Sequence, residues 1–331
     1  MSSRLRDVAA VNEGIAERGS YRASGGEPVD LAERLAAARA GTVSYDPAGL
    51  DALVAAGGPG PTAGTGTVEV TAEGSVQAAR RLFEAGAGPV GVLNFASARN
   101  PGGGYLRGAR AQEEDLCRSA LLYTSLVEAP DYYEAHRASG DLRYSHRVIV
   151  SPGVPVIRGE DGGLLARPYA VTFLTSPAPN AGQLALRAEG GRVDVRGVLA
   201  ERAERVLAAA ARHGTRALVL GAWGCGVFRN DPAEVAEAFE LALARYGAAF
   251  DRVVFAVWDR TPVSPQPGAV VAPVGGGGGG CGEVGVGGWG GVRGAFRGVV
   301  VGVGGREGGR AHRGGFGGGF RRRGSGVREV R

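Results

Sequence analysis

The chain has 331 residues, 44% of them hydrophobic, which is ordinary for a globular protein and enough to bury a core. No apolar run reaches membrane-spanning length and the start lacks the apolar segment of a signal peptide, so we expect a cytoplasmic protein that does not contact a membrane. The three cysteines, Cys117, Cys225 and Cys281, lie far apart without C-x-x-C spacing. This spacing predicts reduced thiols and no metal site, and we expect no cofactor.

The net charge of +5 comes from the C-terminal segment. Residues 269–331 hold 10 arginines and 3 glutamates, a balance of +7, which leaves −2 for residues 1–268. The same 63 residues contain 26 glycines without helical or strand periodicity, and the backbone entropy cost of so many glycines disfavours a packed core. We predict a disordered Gly/Arg-rich tail over residues 268–331. Its charge would allow contact with nucleic acid, but we favour a tail without function.

The rest of the chain predicts strands that alternate with helices. In chain order, the predicted helices cover residues 3–18, 28–39, 75–84, 112–128, 193–213 and 232–246. The predicted strands cover residues 67–71, 89–95, 147–150, 170–174, 217–220 and 253–257. Such alternation is typical of a three-layer α/β/α fold with a mixed, mostly parallel sheet. We place an N-terminal helical extension, packed on the core, at residues 1–65 and the core itself at residues 66–267.

One loop of the predicted core carries an informative pattern. The triple glycine Gly102 to Gly104 is followed, after seven residues, by Gln112-Glu113-Glu114. Glycines let a backbone approach a ligand closely, and the two carboxylates lie at a helix start, in a loop that could close on a sugar or a phosphate. By itself, a Glu-Glu pair can also simply decorate the N-terminus of a helix.

A triple glycine, a seven-residue spacer and Gln-Glu-Glu resemble the signature of poly(ADP-ribose) glycohydrolases. Residues 94–100, 150–158 and 221–230 are also similar to segments of the bacterial branch of that family, which consists of a macrodomain alone. The resemblance covers roughly residues 2–266 and implies the macrodomain fold for the predicted core.

The resemblance implies an enzyme that releases ADP-ribose from poly(ADP-ribose), mainly from the chain end, by hydrolysing ribose–ribose O-glycosidic bonds. Such a cleavage needs a proton for the leaving oxygen, and a carboxylic acid can supply it where a neighbouring carboxylate raises its pKa. Carried over onto this chain, the motif makes Glu114 the general acid/base. Glu113 would hold ribose hydroxyls, and Gln112 would support the pair. Two alternatives stay open, a mono-ADP-ribosyl hydrolase and a non-catalytic ADP-ribose-binding macrodomain, although a pure binder needs no acid.

A second glycine loop, residues 221–226, follows the predicted strand 217–220. Both glycine loops fall at the carboxyl edge of the sheet, where ligands bind in α/β folds. Small residues there can expose backbone N–H groups to a diphosphate, although a glycine-rich junction can also be only a turn. With the resemblance, we predict that ADP-ribose is bound by Asn94, Phe95, Asn100, Gly102, Gly103, Gly104, Gly224, Cys225, Gly226, Val227 and Phe228. The expected partners are poly(ADP-ribose) or ADP-ribosylated proteins, and we expect a monomer.

Overall fold

The computed structural model describes residues 2–58, 66–188, 194–257 and 270–274. The strands within these ranges are β1 Ser20–Arg22, β2 Pro28–Asp30, β3 Val43–Tyr45, β4 Gly66–Thr71, β5 Val90–Phe95, β6 Val148–Arg158, β7 Leu164–Ser176, β8 Ala217–Leu220, β9 Arg252–Ala256 and β10 Val270–Val274. The helices are α1 Ser2–Arg18, α2 Ala32–Ala40, α3 Pro47–Ala55, α4 Ser75–Glu84, α5 Gln112–Ser119, α6 Leu122–Leu126, α7 Pro130–Ala138, α8 Ala181–Arg187, α9 Arg196–Arg212 and α10 Pro232–Tyr246. Short 3-10 turns cover Tyr105–Arg107 and Gly247–Ala249.

A single mixed sheet forms the centre of the molecule, with the strand order β10-β4-β9-β8-β5-β7-β6-β3. Five neighbouring strands are parallel to one another, namely β4, β9, β8, β5 and β7. The other three strands pair antiparallel, β10 with β4, β6 with β7, and β3 with β6. Every residue of β8 is buried, as expected of a central strand that is covered on both faces. The predicted mixed, mostly parallel sheet is therefore confirmed.

Helices cover both faces of this sheet, which confirms the three-layer α/β/α architecture. On one face α3, α9 and α10 bury an apolar cluster that includes Leu207. On the other face α4, α5, α6 and α7 bury a second cluster that includes Leu116. α1, α2 and the β1–β2 hairpin enclose a third cluster around Ile15. Among the described helices, none has both the length and the apolar character that crossing a bilayer requires.

Two of the predicted helices are interrupted or shortened by strand pairing. The helix predicted over residues 28–39 begins instead with a strand, β2, which pairs with β1, so α2 starts at Ala32. The helix predicted over residues 112–128 is interrupted at Ala120, whose extended backbone bridges to Val156 of β6. Helical propensity is a weak preference, and backbone pairing with the sheet outweighs it at Ala120. The helix that starts with Gln112-Glu113-Glu114 is consequently only eight residues long.

Both edges of the sheet come from segments outside the predicted core. β3 pairs with β6 at one edge and α3 packs on α9, although both precede residue 65. β10 pairs with β4 at the other edge, so residues 270–274 form a strand where the sequence predicts the start of a disordered tail. The pairing satisfies backbone groups that β4 would otherwise leave open as an edge strand. The rest of the predicted tail lies outside the described residues, and the division into extension, core and tail stays a prediction.

We expect a chain shortened to residues 1–268 to fold, because it keeps seven of the eight strands of the sheet. It should melt below a chain shortened to residues 1–274, which also keeps β10. A lost edge ladder on the order of 1 kcal/mol lowers the Tm of a domain of this size by about 2–4 °C. Thermal melts of both chains followed by circular dichroism measure the difference. Equal Tm values would show that β10 contributes nothing, and failure of both chains to fold would show that residues beyond 274 pack on the domain.

Candidate active site

The first residue of α5 ties the helix to the end of β5. Gln112 Nε2 donates to Leu93 O at 2.8 Å and to Ser75 Oγ at 3.2 Å, and Gln112 Oε1 accepts from Phe95 N at 2.8 Å. The side-chain amide thus pairs with the backbone of β5 much as a neighbouring strand would. The glutamates that follow are placed at the carboxyl edge of the sheet as a result.

Glu113 is buried, with 3% of its surface exposed, and it faces N–H donors. Its Oε2 accepts from Ser97 N at 2.7 Å, and its Oε1 accepts from Asn94 Nδ2 at 3.3 Å. Burial raises the pKa of Glu113 to about 8, the hydrogen bonds from Ser97 and Asn94 oppose the rise, and the neighbouring charge of Glu114 adds to it. Burial beside a second carboxyl group thus disfavours ionisation of Glu113 near neutral pH.

Glu114 has two oxygens in different surroundings. Oε1 accepts from Gly104 N at 2.8 Å. Oε2 is buried and makes no hydrogen bond within the described part of the chain. One oxygen of the carboxyl group is therefore held by the glycine loop, while the other has no hydrogen-bond partner among the described residues.

The glycine loop lies directly against the two carboxyl groups. A Cβ on Gly103 would lie 2.6 Å from Glu114 Oε1 and 3.1 Å from Glu113 Oε2, and its φ of 59° is left-handed. A Cβ on Gly104 would lie 2.5 Å from the Cβ of Ala109. Both positions therefore admit only glycine without a shift of their neighbours. The two glutamates are adjacent in the helix, yet their carboxyl groups reach the same glycine.

The second glycine loop packs beside the end of β5. A Cβ on Gly221 would lie 3.0 Å from Phe95 Cζ, so the end of β5 abuts the loop that follows β8. Trp223 is fully buried and donates from Nε1 to Ser176 O at 3.2 Å, which anchors this loop to the end of β7. The carboxyl ends of three neighbouring strands thus meet around the glutamates, as the sequence analysis predicts for an α/β sheet.

The predicted residues of this second loop differ in their surroundings. Gly224 has a φ of 72°, and a Cβ there would lie 2.4 Å from Asn230 Nδ2, so this glycine is required by the turn itself. Cys225 is buried, and burial raises the pKa of its thiol to about 12. Gly226 faces open space and Val227 is 81% exposed. Phe228 is half-buried, and its ring centroid lies 6.1 Å from that of Tyr144.

Asn94 and Asn100 lie at different depths in the site. Asn94 is fully buried, and its Nδ2 donates to Glu113 Oε1 and to Thr175 Oγ1 at 3.2 Å. It therefore supports Glu113 from behind. Asn100 is exposed, its N donates to Ser97 Oγ at 3.2 Å, and its carbonyl accepts from Gly103 N at 2.9 Å. The predicted contact of these two residues with ADP-ribose stays a prediction.

Several residues that support the site were missed in the sequence. Ser97 acts through its backbone N–H, and Leu93 acts through its carbonyl, so neither residue type could have indicated the role. Thr175 contacts Asn94 only because β7 lies next to β5. Tyr144 lies in a loop far from the motif along the chain and has a left-handed φ of 59°, which a sequence pattern does not announce for tyrosine.

The described residues contain no group of three or more His, Cys, Asp or Glu side chains arranged to hold a metal ion. The polar groups that converge on the site are instead the two carboxyls and backbone N–H donors. This donor set suits acid/base chemistry on a ligand rich in oxygens.

Comparisons with known proteins place this arrangement in a family. The family model described as "Microbial-type PARG, catalytic domain", where PARG is poly(ADP-ribose) glycohydrolase, matches residues 9–159. Among curated proteins, none matches the chain.

Solved structures match over most of the chain. It is similar to the poly(ADP-ribose) glycohydrolase of Thermomonospora curvata at 49% identity and a TM-score of 0.73, with 78% of this chain and 95% of that chain covered. The same Thermomonospora enzyme bound to the inhibitor ADP-HPD matches at 48% identity and a TM-score of 0.70, with the same coverage. The Deinococcus radiodurans enzyme in complex with ADP-ribose matches at 46% identity and a TM-score of 0.65, covering 71% of this chain and 93% of that chain.

The predicted macrodomain fold is confirmed by these structural matches. The identity is close to one half over nearly the whole length of the Thermomonospora enzyme. The chain therefore belongs to the poly(ADP-ribose) glycohydrolases, the hydrolases that act on the O-glycosidic bonds of poly(ADP-ribose).

Proposed function

We propose that the enzyme releases ADP-ribose mainly from the end of a poly(ADP-ribose) chain, with Glu114 as its general acid/base. The observation that carries this proposal is the asymmetry of the Glu114 carboxyl group. Oε1 is held by Gly104 N, whereas Oε2 has no partner among the described residues. A group that must donate a proton and then accept one needs an oxygen that is fixed in position and otherwise unengaged.

The hydrogen bonds indicate which carboxyl oxygen can take part in proton transfer. Both oxygens of Glu113 accept from N–H groups, so neither is left without a partner. Glu114 Oε1 also accepts from an N–H, so Oε2 is the oxygen where a proton costs no existing bond. We therefore assign the transferable proton to Glu114 Oε2, the one carboxyl oxygen of the two glutamates that has no hydrogen-bond partner among the described residues.

The assignment leads to a simple sequence of steps. Glu114 Oε2 gives its proton to the leaving ribose oxygen as the glycosidic bond breaks. The resulting carboxylate then takes a proton from the attacking water, which restores the acid. Glu113, fixed by Ser97 and Asn94, accepts hydrogen bonds from ribose hydroxyls through its remaining lone pairs. Gln112 keeps both glutamates at the end of β5.

We further propose that the two glycine loops bind ADP-ribose. The related Deinococcus and Thermomonospora structures contain ADP-ribose and the inhibitor ADP-HPD. In this chain Gly226 and Val227 are the most open part of the second loop, and Phe228 with Tyr144 forms an aromatic wall beside it. Backbone N–H groups of such a loop suit a diphosphate, and the aromatic wall suits a ribose or an adenine.

We expect Glu114→Gln to bind ADP-ribose and to lose hydrolysis. The amide keeps an acceptor for Gly104 N but carries no transferable proton at the position of Oε2. General acid/base catalysis is typically worth roughly 10²–10⁴-fold, so the single-turnover rate on poly(ADP-ribose) should fall by that factor. Calorimetry with ADP-ribose measures binding, and the exposed Glu134→Gln serves as the matched control. A Glu114→Gln rate above about a tenth of the wild-type rate would refute the assignment.

The same assay separates the proposed activity from its alternatives. Wild-type enzyme should release ADP-ribose as the first product while long polymers shorten gradually. Early appearance of oligomers would contradict action from the chain end. Equal turnover of a mono-ADP-ribosylated protein would favour a mono-ADP-ribosyl hydrolase, and binding without turnover of either substrate would favour a binding macrodomain.

We expect Gly226→Val to weaken ADP-ribose binding by about tenfold or more while the Tm stays unchanged. A Cβ at Gly226 meets no atom within 4 Å, so a side chain there can only obstruct a ligand. Gly224→Val is the comparison, because a Cβ there would lie 2.5 Å from the Cβ of Ala178 and should lower the Tm. Calorimetric titration and thermal melts of both variants give the two readouts. Unchanged affinity in a folded Gly226→Val variant would remove the proposed diphosphate role from this loop.

We expect Glu113→Gln to become more stable relative to wild type as the pH rises. The pKa of Glu113 is raised from 4.5 to about 8, so its contribution to stability is full below about pH 4.5 and is lost as the pH rises through 8. Glutamine does not ionise, and the gap in Tm should grow by on the order of 10 °C between pH 5 and pH 9, because one pKa unit is worth about 1.4 kcal/mol and one kcal/mol shifts the Tm by about 2–4 °C. Melts of both proteins, with Glu134→Gln as the surface control, test this. A gap that stays constant with pH would contradict a Glu113 carboxyl group that keeps its proton at neutral pH.

A further inference from the structure

The N-terminal helix α1 reaches the carboxyl end of α5, the helix that begins with Gln112. Asn12 of α1 is fully buried, and its Nδ2 donates to Arg118 O at 2.8 Å and to Cys117 O at 3.3 Å. These carbonyls belong to the last turn of α5, where a helix offers them no further N–H groups. Asn12 therefore caps α5 from a different helix, although it lies more than a hundred residues away along the chain.

The orientation of the Asn12 amide is determined by its other neighbour. Arg158 Nε and Nη2 donate to Asn12 Oδ1 at 2.9 Å and 2.8 Å. Arginine can only donate, so the oxygen of the amide must face Arg158 and its nitrogen must face the carbonyls of α5. Two donated and two accepted hydrogen bonds leave the Asn12 side chain fully satisfied in a buried position.

α5 depends on contacts at both of its ends because it is short. It has eight residues, and a helix of that length is marginal on its own. Gln112 holds the first turn to β5, and the extended backbone of Ala120 prevents continuation into α6. Asn12 then holds the last turn, one helical turn from Glu114. A shift of this last turn would move the carboxyl group with it.

The same helix α1 also supports the glycine loop. Tyr105 OH donates to Glu13 Oε1 at 3.1 Å and to Ala9 O at 3.3 Å, both of which belong to α1. Tyr105 directly follows Gly104, whose N–H holds Glu114 Oε1. α1 thus contacts both the helix that carries Glu114 and the loop that fixes one of its oxygens.

We propose that Asn12 is a positioning residue for hydrolysis, which acts by capping α5 and so keeping Glu114 Oε2 in place for proton transfer. This inference rests on the proposed role of Glu114. It gives α1 a part in turnover through its contact with α5.

The experiment compares variants that break one side of the Asn12 contact at a time. Asn12→Asp keeps an oxygen for Arg158 but loses both donors to α5. Arg158→Gln removes the guanidinium but leaves the Asn12 donors to α5 intact. Asn12→Ala removes both sides without placing a carboxylate against the carbonyls, and it serves if Asn12→Asp fails to fold. For each full-length variant the readouts are kcat on poly(ADP-ribose), the Kd for ADP-ribose and the Tm.

We expect Asn12→Asp and Asn12→Ala to lower kcat by about tenfold or more, since small misplacements of a reacting group are costly. The Kd for ADP-ribose should change by less than about twofold, and Arg158→Gln should lower the Tm while its kcat stays within about twofold of wild type. A purely structural Asn12 would lower the Tm in all three variants and leave kcat per folded molecule unchanged. That outcome, or an equal loss of kcat in Arg158→Gln, would overturn the proposal.

The two sets of variants distinguish failure of the Asn12 inference from failure of the proposed function. If Glu114→Gln is inactive and Asn12→Asp turns over like wild type, only the positioning role of Asn12 is wrong. If Glu114→Gln stays active, the acid/base assignment is wrong. A loss of kcat in Asn12→Asp could then not act through Glu114, so the inference about Asn12 is overturned as well.

Discussion

Two adjacent carboxyl groups are buried at the end of the central sheet, and the surrounding structure is arranged to accommodate them. Transfer of an ionised carboxylate out of water costs several kcal/mol unless donors replace the lost hydration. Ser97 N and Asn94 Nδ2 supply donors to Glu113, and Gly104 N supplies one to Glu114. Burial raises the pKa of Glu113 to about 8, so this carboxyl group keeps its proton at neutral pH. Buried carboxyl groups that keep a proton near neutral pH are the kind of acid that glycosidic cleavage requires.

The glycines near the carboxyl pair serve two different purposes. Gly103 and Gly104 are required by contact, because a Cβ would collide with a carboxyl oxygen or with Ala109. Gly224 is required by its own turn, where Asn230 and Ala178 occupy the space of a Cβ. Gly226 has neither constraint, and the open space beside it agrees with the proposed close approach of ADP-ribose.

The elements that carry the chemistry are short, and longer elements hold them in place. α5 has eight residues, held by Gln112 to β5 at one end and by Asn12 of α1 at the other. The loop after β8 is anchored through Trp223 to the end of β7. In the proposed mechanism the acid must lie within hydrogen-bond distance of a leaving oxygen and tolerates little displacement, so we expect such anchors to affect the rate as well as the stability. The rigid sheet and α1 provide positions from which these anchors can act.

The amino-acid sequence by itself determined the α/β class, the order of most strands and helices, and the place of Glu113-Glu114 after a triple glycine, because these follow from local periodicity and from motif spacing. It did not determine that the predicted helix breaks at Ala120, since the break comes from backbone pairing with Val156. Nor did it indicate the contacts of Ser97 and Asn12. Ser97 holds Glu113 through its backbone N–H, and Asn12 contacts the last turn of α5, which is distant along the chain. Only the tertiary structure decided the helix break and these contacts, because hydrogen bonds between distant segments depend on which surfaces the folded chain brings together.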